Sequence, residues 1–103
     1  MNVNHLRRLS EILGHKWDLL ILARLADGPL RYTEIASQVR ETDSDLTDGV
    51  LTKNLKRLAD SGFIHRERAE THHVYELTPR GRFVVATLAK IAEFDDDDPR
   101  DDE

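Results

Sequence analysis

The apolar residues of this chain recur mainly at the three- and four-residue spacing that is typical of an α-helix. This pattern predicts five helices, over residues 4–13, 16–26, 34–39, 47–60 and 79–94. The turn residues Asp27, Gly28 and Pro29 end the second helix, because proline cannot continue a helix and glycine accepts a positive φ. The longest apolar run covers only residues 19–23, so the pattern predicts no membrane span.

Two later stretches, residues 63–68 and 73–77, are rich in the aromatic and β-branched residues that are typical of strands. The four residues between them suit a hairpin loop, and residues 30–32 form a further short extended piece. This order of elements predicts a mainly α winged helix-turn-helix, with helices packed around a two- to three-stranded sheet and a small β-hairpin as its wing. The domain is expected to span residues 1–94.

Several residues mark where these helices begin and end. Threonine hydroxyls can accept a hydrogen bond from a free backbone N–H at a helix start, which makes N-caps of Thr33, Thr47 and Thr78. Gly62 follows the fourth helix, at the position where a left-handed residue commonly ends one. Before the fourth helix, residues 40–46 form a polar, Asp-rich loop.

The fourth helix has two contrasting faces. Leu51, Leu55 and Leu58 form one inward stripe at the helical period. The opposite side is small, polar or basic and comprises Gly49, Thr52, Lys53 and Lys56. In a helix-turn-helix domain, a helix with such an exposed face enters the major groove of DNA.

The formal net charge of −5 is unevenly distributed. Residues 95–103 contain seven acidic residues and one arginine, so this segment carries −6 and the other 94 residues carry +1. Because it lacks apolar residues, the segment 95–103 is expected to be an acidic disordered tail. The nearly neutral body keeps a second hypothesis open, a winged-helix protein–protein interaction module without sequence-specific DNA binding.

Composition excludes several other classes of protein. The chain has no cysteine, which excludes a disulfide scaffold, a zinc–thiolate site and a thiol redox switch. It has no phosphate-binding loop or nucleophile elbow, so we expect neither an enzyme nor a cofactor.

His65, His72 and His73 do not favour a metal site, because adjacent strand residues point to opposite faces and the nearby carboxylates lack ligand-like spacing. The first nine residues do not have the pattern of a signal peptide, so the expected location is cytoplasmic.

Two segments resemble a known family. Residues 12–17 read I-L-G-H-K-W and residues 28–35 read G-P-L-R-Y-T-E-I. Together with the spacing in residues 50–64 and 75–81, they resemble the HxlR-type winged-helix transcription regulators. The resemblance implies a homodimer whose first and last helices form the dimer interface and whose recognition helix and wing bind double-stranded operator DNA.

Three features depart from the family pattern. Many members carry a cysteine near the N-terminus that senses oxidants or aldehydes, and this chain has none. Gly49 stands where the family often has a basic residue, beside the negative Asp48, and the loop 40–46 is longer and more acidic than usual. These departures concern the sensing mechanism and the base contacts rather than the fold.

The expected DNA contacts follow from the predicted fold. Thr52 and Lys53 are placed to reach base edges, and Lys56 and Arg57 to reach phosphate. Asp48 either accepts a hydrogen bond from cytosine or complements the helix N-terminus, and the second role is favoured. The expected DNA-binding residues are Thr47, Asp48, Gly49, Thr52, Lys53, Lys56 and Arg57 on the recognition helix, Arg31 and Thr33 before it, and Arg66, Arg68, His72 and His73 on the wing.

The first and last helices carry more apolar residues than a small monomer needs. We therefore expect a homodimer that reads a palindromic operator and acts as a repressor. Its interface residues are expected to be Leu6, Leu9, Ile12, Leu13, Trp17, Val84, Leu88 and Ile91. Packing is the favoured role of Trp17, although such an aromatic can also line a pocket for a small-molecule effector, which the sequence does not identify.

Overall fold

The computed structural model describes residues 2–4, 6–7, 10, 14–15 and 17–96, and their side chains as far as residue 94. The elements of the segment 17–96 are α1 (Asp18–Leu25), β1 (Leu30–Arg31), α2 (Tyr32–Thr42), α3 (Asp48–Asp60), β2 (Ile64–Ala69), β3 (His72–Leu77) and α4 (Pro79–Asp96). Their order confirms the predicted winged helix-turn-helix. Most of the predicted first helix, including Leu9, Ile12 and Leu13, lies outside the described residues, as do residues 97–103 of the predicted tail.

The three strands form one antiparallel sheet in the order β1-β3-β2. Ile64 of β2 lies opposite Leu77 of β3, and Ala69 lies opposite His72 at the far end of the hairpin. The predicted four-residue loop was therefore too long. Residues 70–71 alone make the turn, which closes because Glu70 adopts a left-handed conformation with φ 52°.

The core lies between the helices and one face of the sheet. The predicted inward stripe of α3 is confirmed, since Leu51, Leu55 and Leu58 are all buried. The other helices, the sheet and the connecting segments complete this core with Ile21, Leu22, Leu25, Ile35, Ala36, Val39, Leu46, Phe63, Ile64, Tyr75, Leu77 and Val84. Removing these side chains from water is the main force that fixes α3 against the rest of the domain.

Both ends of α3 are capped as predicted. The hydroxyl of Thr47 accepts a hydrogen bond from the backbone N–H of Val50 over 3.3 Å. At the other end, Gly62 has φ 84°, and its N–H donates to the Ala59 carbonyl over 3.0 Å. The next N–H, of Phe63, donates to the Leu58 carbonyl over 3.0 Å. These two bonds form a Schellman motif, which needs a residue in the left-handed region.

The start of α2 differs from the prediction. The helix begins at Tyr32 and its N-cap is Arg31, so Thr33 is not the cap. The reason is that the Glu34 carboxylate accepts the backbone N–H of Arg31 over 2.9 Å, which caps the helix two residues earlier than expected. The helix also continues to Thr42, three residues beyond its predicted end.

The start of α4 depends on a close approach of two backbone segments. Thr78 is the predicted N-cap, and its hydroxyl accepts the N–H of Gly81 over 3.1 Å and donates to the Gly62 carbonyl over 2.6 Å. A Cβ atom at Gly81 would collide with the carbonyl oxygen of Phe63. Glycine at this position therefore lets α4 pack closely against the end of α3.

Candidate nucleic-acid interface

The outer face of α3 lies in solvent, as predicted. Gly49, Thr52, Lys53 and Lys56 are all exposed. No atom lies within 4 Å of the place where a Cβ at Gly49 would stand, so another molecule can approach the backbone there. Lys53 forms no ion pair with any described residue. Lys56 lies 3.4 Å from Asp60, in an exposed pair of the kind that contributes little to stability.

The N-terminus of α3 is attached to α2 through Asp48. The Tyr32 hydroxyl lies 3.1 Å from both the backbone carbonyl and Oδ1 of Asp48. Arg40 donates from Nη2 to the same Oδ1 over 2.9 Å and from Nε to the Leu46 carbonyl over 2.9 Å. With Oδ1 engaged by the protein itself, these contacts favour a structural role for Asp48 over a contact with cytosine.

Hydrogen bonds to this carboxylate change its acidity. The hydrogen bond from Arg40, then that from Tyr32, then the Arg40 charge hold the pKa of Asp48 below its ordinary value. Because the folded-state pKa is lowered, the contribution of Asp48 to stability is present above its unfolded-state pKa. It is lost as the pH falls through the folded-state value.

We expect Arg40→Gln to raise the pKa of Asp48 toward its ordinary value, because it removes the largest stabilising contact of the carboxylate. Tyr32→Phe should raise it by a smaller amount. The check is an NMR titration that follows the Asp48 carboxyl carbon in each variant. An unchanged titration midpoint in Arg40→Gln would show that the ion pair does not form in solution.

Arg57 was predicted to contact phosphate, but in the structure its side chain is bound within the protein. Its Nη2 donates to Oδ1 of Asp18 over 2.9 Å and to Oδ1 of Asn54 over 2.6 Å, and its Nε donates to Oδ2 of Asp18 over 3.2 Å. The Asp18 side chain is 0% exposed. Burial raises the pKa of Asp18, whereas the hydrogen bond and the charge of Arg57 oppose this shift. Arg57 therefore joins α3 to α1, and we remove it from the candidate DNA contacts.

The predicted wing residues are divided between two faces of the hairpin. Side chains alternate along a strand, so Arg66, Arg68 and His73 share the face that carries the buried Tyr75, and His72 points the other way. Nη2 of Arg66 lies 3.1 Å from Nδ1 of His73. Arginine can only donate, so this nitrogen is an acceptor and the imidazole is neutral.

The pKa of His73 also favours a neutral imidazole. Loss of hydration, followed by the positive charges of Arg66 and Arg68, lowers the pKa of His73. At neutral pH His73 therefore adds no positive charge to the hairpin. The cationic part of this face consists of the two arginines.

The recognition helix and the wing meet at a cleft of about 490 Å³. Lys56 of α3 and Arg66 of β2 both line it, and Tyr32, Thr52 and Tyr75 form part of its wall. The structure thus brings together candidate residues from two elements that are separate in the sequence. The sequence had assigned no role to Tyr32, although it is the aromatic residue of the 28–35 segment.

The two candidates near the start of α2 have different surroundings. Arg31 is exposed and lies 3.4 Å from Glu34. Thr33 is exposed and borders a shallow depression that also includes Arg40 and Asp48. Thr33 therefore lies beside the N-terminus of α3, as a contact with the DNA backbone would require.

The predicted dimer residues also fall into groups. Val84 is 9% exposed and belongs to the core, so its assignment to an interface is corrected. Trp17 and Leu88 are partly buried against the same core. Leu6 and Ile91 are exposed. Two further apolar side chains of α4, Phe83 and Phe94, are also exposed.

Among the described helices, none combines the length and the apolar character that crossing a bilayer requires.

The model of the HxlR-like helix-turn-helix family matches residues 12–101. An uncharacterized HTH-type transcriptional regulator of Methanothermobacter thermautotrophicus is 34% identical over 85 residues. The match covers 80% of this chain and 62% of that relative, so the chain spans less than two thirds of its length.

Two solved structures have a fold similar to that of this chain. The reduced form of the transcriptional regulator YodB from Bacillus subtilis has 26% identity and a TM-score of 0.76, and the match covers 93% of each chain. A homodimeric winged helix-turn-helix DNA-binding domain from Mycobacterium bovis has 21% identity and a TM-score of 0.72, covering 88% of this chain and 81% of that one, and shows the fold alone. Because the family model matches residues 12–101, which are most of the chain, the chain belongs to the HxlR-like helix-turn-helix family.

Proposed function

We propose that this chain regulates transcription by inserting α3 into the major groove of operator DNA. The observation that carries the proposal is the exposed N-terminal half of α3, where Thr52 and Lys53 stand beside the open backbone at Gly49. Tyr32 holds this end of the helix against α2, so the side chains are presented on a rigid element. A rigid, polar and basic helix face suits recognition of base edges.

The proposed unit is a homodimer. Exposed apolar side chains on α4, namely Phe83, Ile91 and Phe94, support it, because an interface would remove them from water. A twofold-related pair of recognition helices reads a palindromic site whose half-sites are about 34–36 Å apart. The proposed effect on transcription is repression, which requires only that the bound dimer block the polymerase.

A small-molecule effector completes the proposal. The regulator YodB, 27% identical to this chain with a TM-score of 0.74, has been solved with a quinone bound, and the match covers 89% of this chain and 94% of that one. This chain contains no cysteine, so an effector here would bind without forming a bond to a thiol.

The alternative of a protein-docking module receives less support. A helix that docks on a protein partner presents apolar anchors along its exposed face. The exposed positions of α3 carry no apolar anchor, since they are Asp48, Gly49, Thr52, Lys53, Lys56 and Asp60.

The proposal is tested by selecting bound duplexes from a random-sequence library with the full chain. We expect enrichment of an inverted repeat with half-sites about one helical turn apart. Light scattering on the same sample should show a dimer. Absence of any enriched sequence would contradict specific DNA binding, whereas enrichment of a single half-site by a monomer would contradict the dimer alone.

A further inference from the structure

One cluster of side chains on the hairpin has no part in the proposed DNA contacts. His65 of β2 lies directly opposite Glu76 of β3, and Glu67 follows two residues along β2. Residues two apart on a strand point to the same face, so all three side chains share one face. It is the face opposite the one that carries Arg66 and the buried Tyr75.

The three side chains converge without partners of their own. One potential ligand atom from each of His65, Glu67 and Glu76 lies within 4.8 Å of the other two. None of these three side chains forms a hydrogen bond or ion pair with another described residue. Two carboxylates placed close together repel each other when no cation lies nearby. The cluster therefore has negative charge, ligating atoms and no internal counter-ion.

We propose that His65, Glu67 and Glu76 form a binding site for a divalent transition-metal ion, of which Zn²⁺ is the ion we infer. One imidazole and two carboxylates are suitable ligands for such an ion, whereas Mg²⁺ and Ca²⁺ prefer oxygen ligands alone. In tetrahedral geometry two ligands of Zn²⁺ are roughly 3.4 Å apart. His65 and Glu67 are exposed and Glu76 is half-buried, so small side-chain rotations are enough to close the present separation.

Such an ion would connect the two strands of the wing. Two of its ligands come from β2 and one from β3, so the bound ion cross-links the hairpin and neutralises two carboxylates. The ligands lie on the other face from Arg66, so the inference does not depend on the proposed DNA binding. The sequence predicted no metal site because the carboxylates near the histidines lack ligand-like spacing. Glu76 is distant from His65 along the chain, and only the strand register brings the two together.

The test is a titration of the tag-free, chelator-treated full chain with ZnCl₂, followed by calorimetry and by NMR of the histidine rings. We expect Zn²⁺ to shift the His65 ring signals and to raise the melting temperature, because the site exists only in the folded chain. His65→Gln and Glu76→Gln should each weaken this binding by about tenfold or more. All three ligands are at the surface, so both variants are expected to fold.

Two matched variants serve as controls. His73→Gln removes a histidine from the opposite face, and Glu70→Gln removes a carboxylate from the turn. Both should bind Zn²⁺ as the unaltered chain does. Equal affinity in His65→Gln, Glu76→Gln and the unaltered chain would overturn the proposal, as would absence of binding up to roughly 1 mM Zn²⁺.

Discussion

Replacing Arg57 with alanine is expected to lower the free energy of unfolding by about 3–5 kcal/mol, because it leaves a buried carboxylate without its partner. The Asp18 side chain is 0% exposed, and Arg57 is its hydrogen-bonding partner among the described residues. The loss should be measured by chemical denaturation at neutral pH. For a domain of this size it is a large part of the total stability.

The loss of unfolding free energy in Arg57→Ala should also depend on pH. Burial already raises the pKa of Asp18, and without Arg57 only the weaker influence of the His15 charge opposes that shift. A group whose pKa is raised in the folded state adds stability as the pH falls, since the folded chain then binds the proton more tightly than the unfolded chain. The variant should therefore lose less stability near pH 5 than near pH 7.

Lys56→Ala is the matched control for this prediction. It removes a neighbouring cation of α3 whose ion pair with Asp60 is exposed, and the expected cost is below about 1 kcal/mol. If Arg57→Ala were no more destabilising than Lys56→Ala, the buried ion pair would not be a determinant of the fold.

The second large effect concerns DNA. Lys53→Ala should weaken binding to the selected operator by about 1–3 kcal/mol, roughly 5- to 150-fold, because Lys53 is exposed and has no competing ion pair among the described residues. Binding is measured by fluorescence anisotropy with a labelled operator. Lys90→Ala, an exposed site on α4, removes the same charge at a distance. Equal losses in the two variants would show a general charge effect and contradict a contact from α3.

The features that were predictable from the sequence are local ones. The stripe of Leu51, Leu55 and Leu58 reflects helical periodicity, and the caps at Thr47 and Gly62 reflect the backbone groups left free at helix ends. Each depends on residues only a few positions apart. The recognition helix and its exposed face could therefore be placed without the tertiary structure.

The features that were not predictable depend on contacts between distant residues. Asp18 and Arg57 are 39 positions apart, and nothing in the helical pattern indicates that they meet. The faces of the wing depend on a register set by the two-residue turn, so the partners of His65 and His73 could not be known beforehand. The role of Arg57 and the convergence of His65 with two glutamates became visible only in the folded chain.

Salt-dependent binding of a labelled, mixed-sequence duplex by the full chain is the most direct test of the proposal that α3 binds DNA. Phosphate contacts release counter-ions, so affinity should fall steeply as salt concentration rises. Replacing both Lys53 and Lys56 with alanine should reduce the slope of log affinity against log salt by about one for each lysine that contacts phosphate. Absence of binding even at low salt, or binding that salt and both substitutions leave unchanged, would contradict α3 as a DNA-binding helix.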